Sequence, residues 1–195
     1  MAGESIQKVR DGDAAPDFEL SDVHGETHSL ADFADSEALL VVFTCNHCPY
    51  AKAKFDALND IAAEYDDVSV VGINSNDAAE YEDDSVEVMR ELVEDGTIQY
   101  DAYLHDESQS VAADYGAVCT PDPFLFANED GAFRLAYHGA LDDAPNPDDD
   151  PDEHYVRQAI DSILAGEDVT LDFVPSRGCT IKWAAGNEPD YWDEV

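Results

Sequence analysis

Apolar residues along this chain fall into two kinds of pattern. Ala38-Leu39-Leu40-Val41-Val42-Phe43 and Val68-Ser69-Val70-Val71-Gly72-Ile73-Asn74 are short, dense runs of the kind that form strands buried on both faces. Between them, from Pro49 onward, Phe55, Leu58, Ile61, Ala62 and Tyr65 recur with a helical period, which predicts a helix of about four turns. Pro49 suits the first turn, where its missing N–H would have had no partner anyway. Strand, helix and strand make a β-α-β unit, expected to be parallel and right-handed.

The flanking patterns extend this core. Ala15-Pro16-Asp17-Phe18-Glu19-Leu20, with Asp22 and Gly25, predicts a short strand and turn, the first half of a hairpin; Leu30-Ala31-Asp32-Phe33 predicts a helical turn. An acidic helix is expected over 78–95, with Val86, Met89, Leu92 and Val93 inward, and a strand over 100–104. Val111, Ala112, Tyr115 and Val118 mark a short helix. Pro123-Phe124-Leu125-Phe126 and Ala132-Phe133-Arg134-Leu135-Ala136-Tyr137 flank Asp130-Gly131, a hairpin turn signal. Residues 142–152 read as a solvated loop. Tyr155, Val156, Ala159, Ile160, Ile163 and Leu164 form the inward stripe of a last helix that ends at Gly166. The expectation is one α/β domain over 1–183 and a mobile tail over 184–195.

Composition narrows the setting. The chain has 195 residues, 44% of them apolar, enough for one substantial core. It holds no apolar run long enough to cross a membrane, and none near Met1 to act as a secretory signal, so a cytoplasmic protein with no membrane partner is expected. Acidic residues number 46 against 9 basic ones, for a formal net charge of −37. Such a surface repels phosphates and excludes nucleic acid as a partner of general electrostatic type. It also repels itself, and salt shortens the reach of that repulsion from ~30 Å at 0.01 M to ~3 Å at 1 M. A halophilic cytoplasm is the expected solvent.

The candidate chemistry sits between the first buried strand and its helix, at Cys45-Asn46-His47-Cys48. A C-x-x-C pair at a strand-to-helix junction is the arrangement of a thioredoxin-like redox centre. Unpaired N–H groups at a helix start stabilise a thiolate, and two thiols in one turn can close a disulfide. Cys45 is expected to be the nucleophile, nearest the helix start, and Cys48 the resolving thiol. Lys52 and Lys54 fall just past the pair and are candidates to support a thiolate or a substrate anion. Four cysteines do not make a disulfide scaffold in a chain of this size, and a structural zinc site would need four ligands where only one Cys pair exists. No cofactor motif is present.

The order of these elements resembles the thioredoxin-like superfamily: a central mixed sheet flanked by helices, here with an N-terminal hairpin extension. Ala-Pro-Asp-Phe-Glu-Leu at 15–20 resembles the redoxin branch, which includes peroxiredoxins and AhpC/TSA-like proteins. So do the stretches around Cys45, around Cys119-Thr120-Pro121 and around Gly178-Cys179-Thr180. That resemblance implies a cis-proline at Pro121, with Thr120 and Asn46 beside Pro121 in contact with an extended substrate. His47 occupies the slot of the histidine in oxidising C-P-H-C proteins, where an imidazolium would favour the Cys45 thiolate. Cys119 and Cys179 are candidate accessory thiols; Cys119 is otherwise a small buried residue. The implied activity is thiol–disulfide exchange with a protein or small-molecule partner. Two alternatives stand beside it. One is a thiol peroxidase using Cys45, although Val42 stands where the peroxidase motif has Thr or Ser. The other is a Cu(I)- or Zn-binding or redox-sensing module using Cys45, Cys48 and a histidine such as His138. Oligomeric state is open.

Overall fold

The structure is a computed structural model that describes residues 2–194, with side chains through Trp192. In chain order, β1 (Ala2–Glu4) precedes the hairpin of β2 (Glu19–Asp22) and β3 (Thr27–Ser29) and a 3-10 turn at Leu30–Phe33. The central unit follows as β4 (Ala38–Phe43), α1 (Pro49–Lys52), α2 (Phe55–Glu64) and β5 (Val68–Asn74). Next come α3 (Val86–Glu94), β6 (Ala102–His105), α4 (Ser110–Tyr115), β7 (Cys119–Thr120), β8 (Asp122–Glu129) and β9 (Ala132–His138). α5 (Tyr155–Leu164) and β10 (Arg177–Thr180) follow, and a 3-10 turn at Asp190–Glu194 comes last.

The main sheet has seven strands in the order β3-β2-β6-β5-β4-β8-β9. β4, β5 and β6 are parallel; β8 and β2 run against them, and the edge strands β9 and β3 turn back to run in their direction. This is the mixed α/β sheet that the resemblance implies. Every residue of β4 is buried because the sheet is covered on both faces. Its alternate side chains feed two cores. Leu39, Val41 and Phe43 join Val71, Ile73, Tyr115, Phe124 and Phe126 on one face; Leu40 and Val42 join Leu58, Ile61, Val156 and Ile160 of α2 and α5 on the other. The 130–131 hairpin forms as expected, with positive φ at Asp130 (54°) and Gly131 (92°).

Three local expectations are corrected. The helix after Pro49 is split into α1 and α2 at Ala53 and Lys54, where the Lys54 ammonium reaches Asp142 at 2.7 Å. Asp142 is therefore buried and paired, inside a segment expected to be solvated throughout. The acidic helix begins only at Val86, capped by the Ser85 hydroxyl, because Asp84 turns into the interior instead of continuing a helix face.

A second, three-stranded sheet was not anticipated. It runs β1-β10-β7, antiparallel throughout, with Cys179 opposite Thr120 on one edge of β10 and opposite Ala2 on the other. The segment beyond 184, expected as a tail, makes contacts among its described residues. Tyr191 donates to the carbonyl of Ala117 at 3.0 Å, and Trp192 meets Trp183 edge-on.

Candidate redox site

β4 delivers the chain to Cys45, and Pro49 starts α1 directly after Cys48. Cys48, not Cys45, is thus the cap residue of that helix, which corrects the expected order. Both sulfurs belong to residues with no exposed surface. Thr120-Pro121 faces them, and its peptide bond is cis, as expected. The Thr120 hydroxyl lies 3.1 Å from the Cys45 sulfur and its carbonyl 3.5 Å from the Cys48 sulfur. Thr120 and Pro121 therefore stand beside the dithiol. The strand edge expected to take an extended substrate is, however, occupied by the chain's own β10.

The polar side of the site is organised by Asp84, a residue sequence reasoning missed. Its carboxylate is fully buried and accepts from four donors: the Asn46 backbone N–H at 2.7 Å, Asn74 Nδ2 at 3.2 Å, Asn76 Nδ2 at 2.8 Å and His47 Nδ1 at 2.6 Å. A buried charge persists only when its lone pairs are satisfied in this way. Nothing separates Asp84 from Asp83 in the acidic run. The available signal was Asn74-Ser75-Asn76, a polar cluster at the carboxyl end of a parallel strand, where open α/β sheets place their sites.

Asn46, expected to touch substrate, is instead an anchor. Its side chain donates to the Asp83 carbonyl at 2.9 Å and accepts from the Tyr103 hydroxyl at 2.7 Å, so both ends of its amide are engaged within the fold. His47 stacks on Tyr81 with ring centroids 5.6 Å apart and binds Asp84 with Nδ1. Any charge on its imidazole is balanced first by that carboxylate. Lys54 is committed to Asp142. His138 is buried in β9, 2.9 Å from Asp122 and stacked on Phe124, which removes it from the copper set considered above. Cys45, His47 and Asp84 do bring one donor atom each within 4.8 Å of one another.

The thiols differ in their surroundings. The Cys45 thiol is pushed up, first by its hydrogen bond with Cys48, then by burial and by the Asp84 charge. Cys48 is held well below the usual thiol range, first by donation from Cys45 and then, against the cost of burial, by Cys179 and the Ala51 amide. The Thr120 carbonyl near Cys48 would suit a thiol better than a thiolate, but it is one acceptor against several donors. Cys48 is thus the more acidic of the pair, where the sequence reading put the thiolate on Cys45. Burial pushes Cys119 up and directs its sulfur to the Ser176 carbonyl at 3.6 Å, away from the pair. Burial also raises Cys179, to about 11, and Cys48 adds to that rise.

A model of the AhpC/TSA family matches residues 12–136, nearly two thirds of the chain and both cysteines of the pair. The chain belongs to the AhpC/TSA family. An uncharacterised conserved protein from Geobacillus kaustophilus superposes with a TM-score of 0.87 at 37% identity, covering 95% of this chain and 98% of that one. A hypothetical protein from Sinorhizobium meliloti 1021 superposes with a TM-score of 0.84 at 44% identity, covering 94% and 99%. The Thiol:disulfide interchange protein DsbE of Yersinia pestis is 28% identical over 134 residues, which span 68% of this chain and 66% of that protein. With the cis-proline set against the cysteine pair, the architecture is that of a thioredoxin-like redoxin, and the family supports a thiol-redox role. None of the described helices is long and apolar enough to cross a membrane.

Proposed function

We propose that this redoxin is a thiol–disulfide oxidoreductase that exchanges disulfides with a protein or small thiol through Cys45 and Cys48. The observation that carries the reading is the pair itself: two buried thiols three residues apart, both packed against Thr120 of the cis Thr120-Pro121 bond. Cys45 makes the attack. Its proton first crosses to Cys48, and the Thr120 hydroxyl at 3.1 Å donates to the Cys45 thiolate that forms. Attack on a substrate disulfide leaves Cys45 in a mixed disulfide and expels one thiolate, which takes the proton back from Cys48. The Cys48 thiolate then attacks the Cys45 sulfur, closes the disulfide between the two and releases the second thiolate. Asp84 would oppose charge on Cys45, and the imidazole of His47 at 2.6 Å offsets that opposition. Because the resting thiolate stabilises the reduced form, the couple is biased towards passing its disulfide on.

Trapping tests the order of events. Cys48→Ser should accumulate a mixed disulfide on Cys45 when mixed with glutathione disulfide, because the second attack is lost. Accumulation on Cys48 in Cys45→Ser instead, with Cys48→Ser unreactive, would reverse the two roles. The same preparations assayed with hydrogen peroxide and a thiol reductant would expose a peroxidase.

The working solvent is part of the proposal. A net charge of −37 supports a saline cytoplasm, with salt screening the repulsion between carboxylates. Dialysis from 2 M KCl to a few millimolar should abolish amide-exchange protection in β4 and β5; full protection at millimolar salt would remove the halophilic reading.

A further inference from the structure

Cys179 is left unexplained by the exchange just described. It lies outside the segment that matches the family model, on a strand that the sequence pattern did not announce. Its placement is nevertheless closely set. β10 pairs antiparallel with β7 so that Cys179 stands directly opposite Thr120. Residues opposite one another in an antiparallel pair project to the same face of the sheet, and their neighbours to the other. Thr120 turns its hydroxyl to Cys45 on that face, so Cys179 faces the dithiol too. Cys119 and Thr180, the next pair along, face the other way, and the Cys119 sulfur meets Ser176. Cys179 accordingly packs on the apolar cluster that holds Cys45, Cys48 and Ala51, and Cys48 and Cys179 each shift the other's acidity.

The approach is enforced by the backbone. A Cβ on Gly178 would come within 1.9 Å of the Thr120 carbonyl oxygen, so only glycine lets β10 lie this close to β7. β1 holds the opposite edge of β10, with Gly3 opposite Gly178. The strand that a thioredoxin-like protein would leave open for a substrate segment is thus filled from within, and the filling segment carries a cysteine against the pair.

We propose that Cys179 is a third exchanging thiol, an internal partner that attacks Cys48 once the disulfide between Cys45 and Cys48 has formed. This rests on the dithiol reading above. The Cys179 sulfur bonds to the Cys48 sulfur, the bond from Cys48 to Cys45 breaks, and the Cys179 proton ends on the departing Cys45 sulfur. No net oxidation occurs, since one disulfide replaces another. Cys45 is left as a free thiol while the disulfide is stored one sulfur deeper. Cys48 is the central sulfur of three, with a resolving partner on each side.

Disulfide mapping decides the matter. The reduced protein in molar KCl is treated with excess glutathione disulfide, quenched in acid, alkylated and mapped by mass spectrometry. A Cys48–Cys179 link should appear at no less than about one tenth of the Cys45–Cys48 form, with Cys45 alkylated in those molecules. In Cys45→Ser, diamide should remove two of the three remaining thiols, Cys48 and Cys179, and leave Cys119. Gly178→Ala, which retains every sulfur but moves β10 off β7, should cut the Cys48–Cys179 yield at least fivefold while Cys45–Cys48 still forms. Cys179 remaining fully alkylatable in both the oxidised wild type and diamide-treated Cys45→Ser would overturn the proposal. Failure of the wild type to form any Cys45–Cys48 bond would instead sink the exchange reading, and the Cys45→Ser result would still decide for or against Cys179.

Discussion

The two sides of the cysteine pair are built by different means. On one side lies the Asp84 carboxylate, with every hydrogen bond supplied by a neighbour: Asn46, His47, Asn74 and Asn76. On the other side lies β10, which has little polar chemistry to offer and is placed by backbone pairing and by the room that Gly178 leaves. The polar side fixes where Cys45 sits and sets the field it feels. The strand side brings a thiol to Cys48. The contrast teaches that charge and access at this site are controlled separately, so substitutions should separate them.

Asp84→Ala should have the largest effect. It leaves four donors, three of them buried, without an acceptor, and loss of one partner from a satisfied buried network costs about 3–5 kcal/mol. Urea unfolding of the reduced protein in 2 M KCl measures this; a loss under ~1 kcal/mol would mean that Asp84 is not the anchor described. Gly178→Ala tests the strand side with a smaller cost, about 1–3 kcal/mol of overpacking against the Thr120 carbonyl. It should leave the Asp84 network intact, visible as unchanged exchange protection of the Asn46 amide. Equal loss of that protection would show the two sides to be one unit.

His47→Leu should have the smallest effect on folding and a readable one on chemistry. It removes the group that offsets the Asp84 charge near Cys45. Attack on glutathione disulfide should slow about tenfold, and the couple should become more reducing by about 30 mV, which is ~1.4 kcal/mol for two electrons. No change in either would make His47 a bystander held by Asp84. A titration of thiolate absorbance at 240 nm sharpens the same point. The reduced wild type should hold one thiolate per molecule at mildly acidic pH, since Cys48 is held well below the usual range, and should lose it only as pH falls further. Cys48→Ser should show none until the pH approaches the ordinary thiol range.

How far the sequence foretold this division is itself instructive. β4 and β5 were legible because both faces are buried and the apolar runs are continuous. The α5 stripe was legible because it is amphipathic over ten residues. β7 and β10 were not, since two and four residues are too short to show alternation, and their pairing spans some sixty positions of chain. The pair at 45 and 48 was visible from spacing, as was the cis-proline from resemblance. Their electrostatics were not, because beyond the hydrogen bond between the two thiols they depend on burial and on Asp84 and Cys179, brought in by tertiary structure. Asn46 was misread for the same reason: a polar residue between two cysteines looks available until Asp83, Asp84 and Tyr103 are seen to occupy it.

The most direct test of the central claim is a redox titration of the whole protein in molar KCl against a glutathione series, with free thiols mapped at each point. A single two-electron transition is expected in which Cys48 is lost in step with Cys45 or Cys179, Cys119 stays free, and the midpoint lies above the ~−270 mV of a reducing thioredoxin, less negative than about −200 mV. Cys45 and Cys48 both remaining free across the series would contradict it.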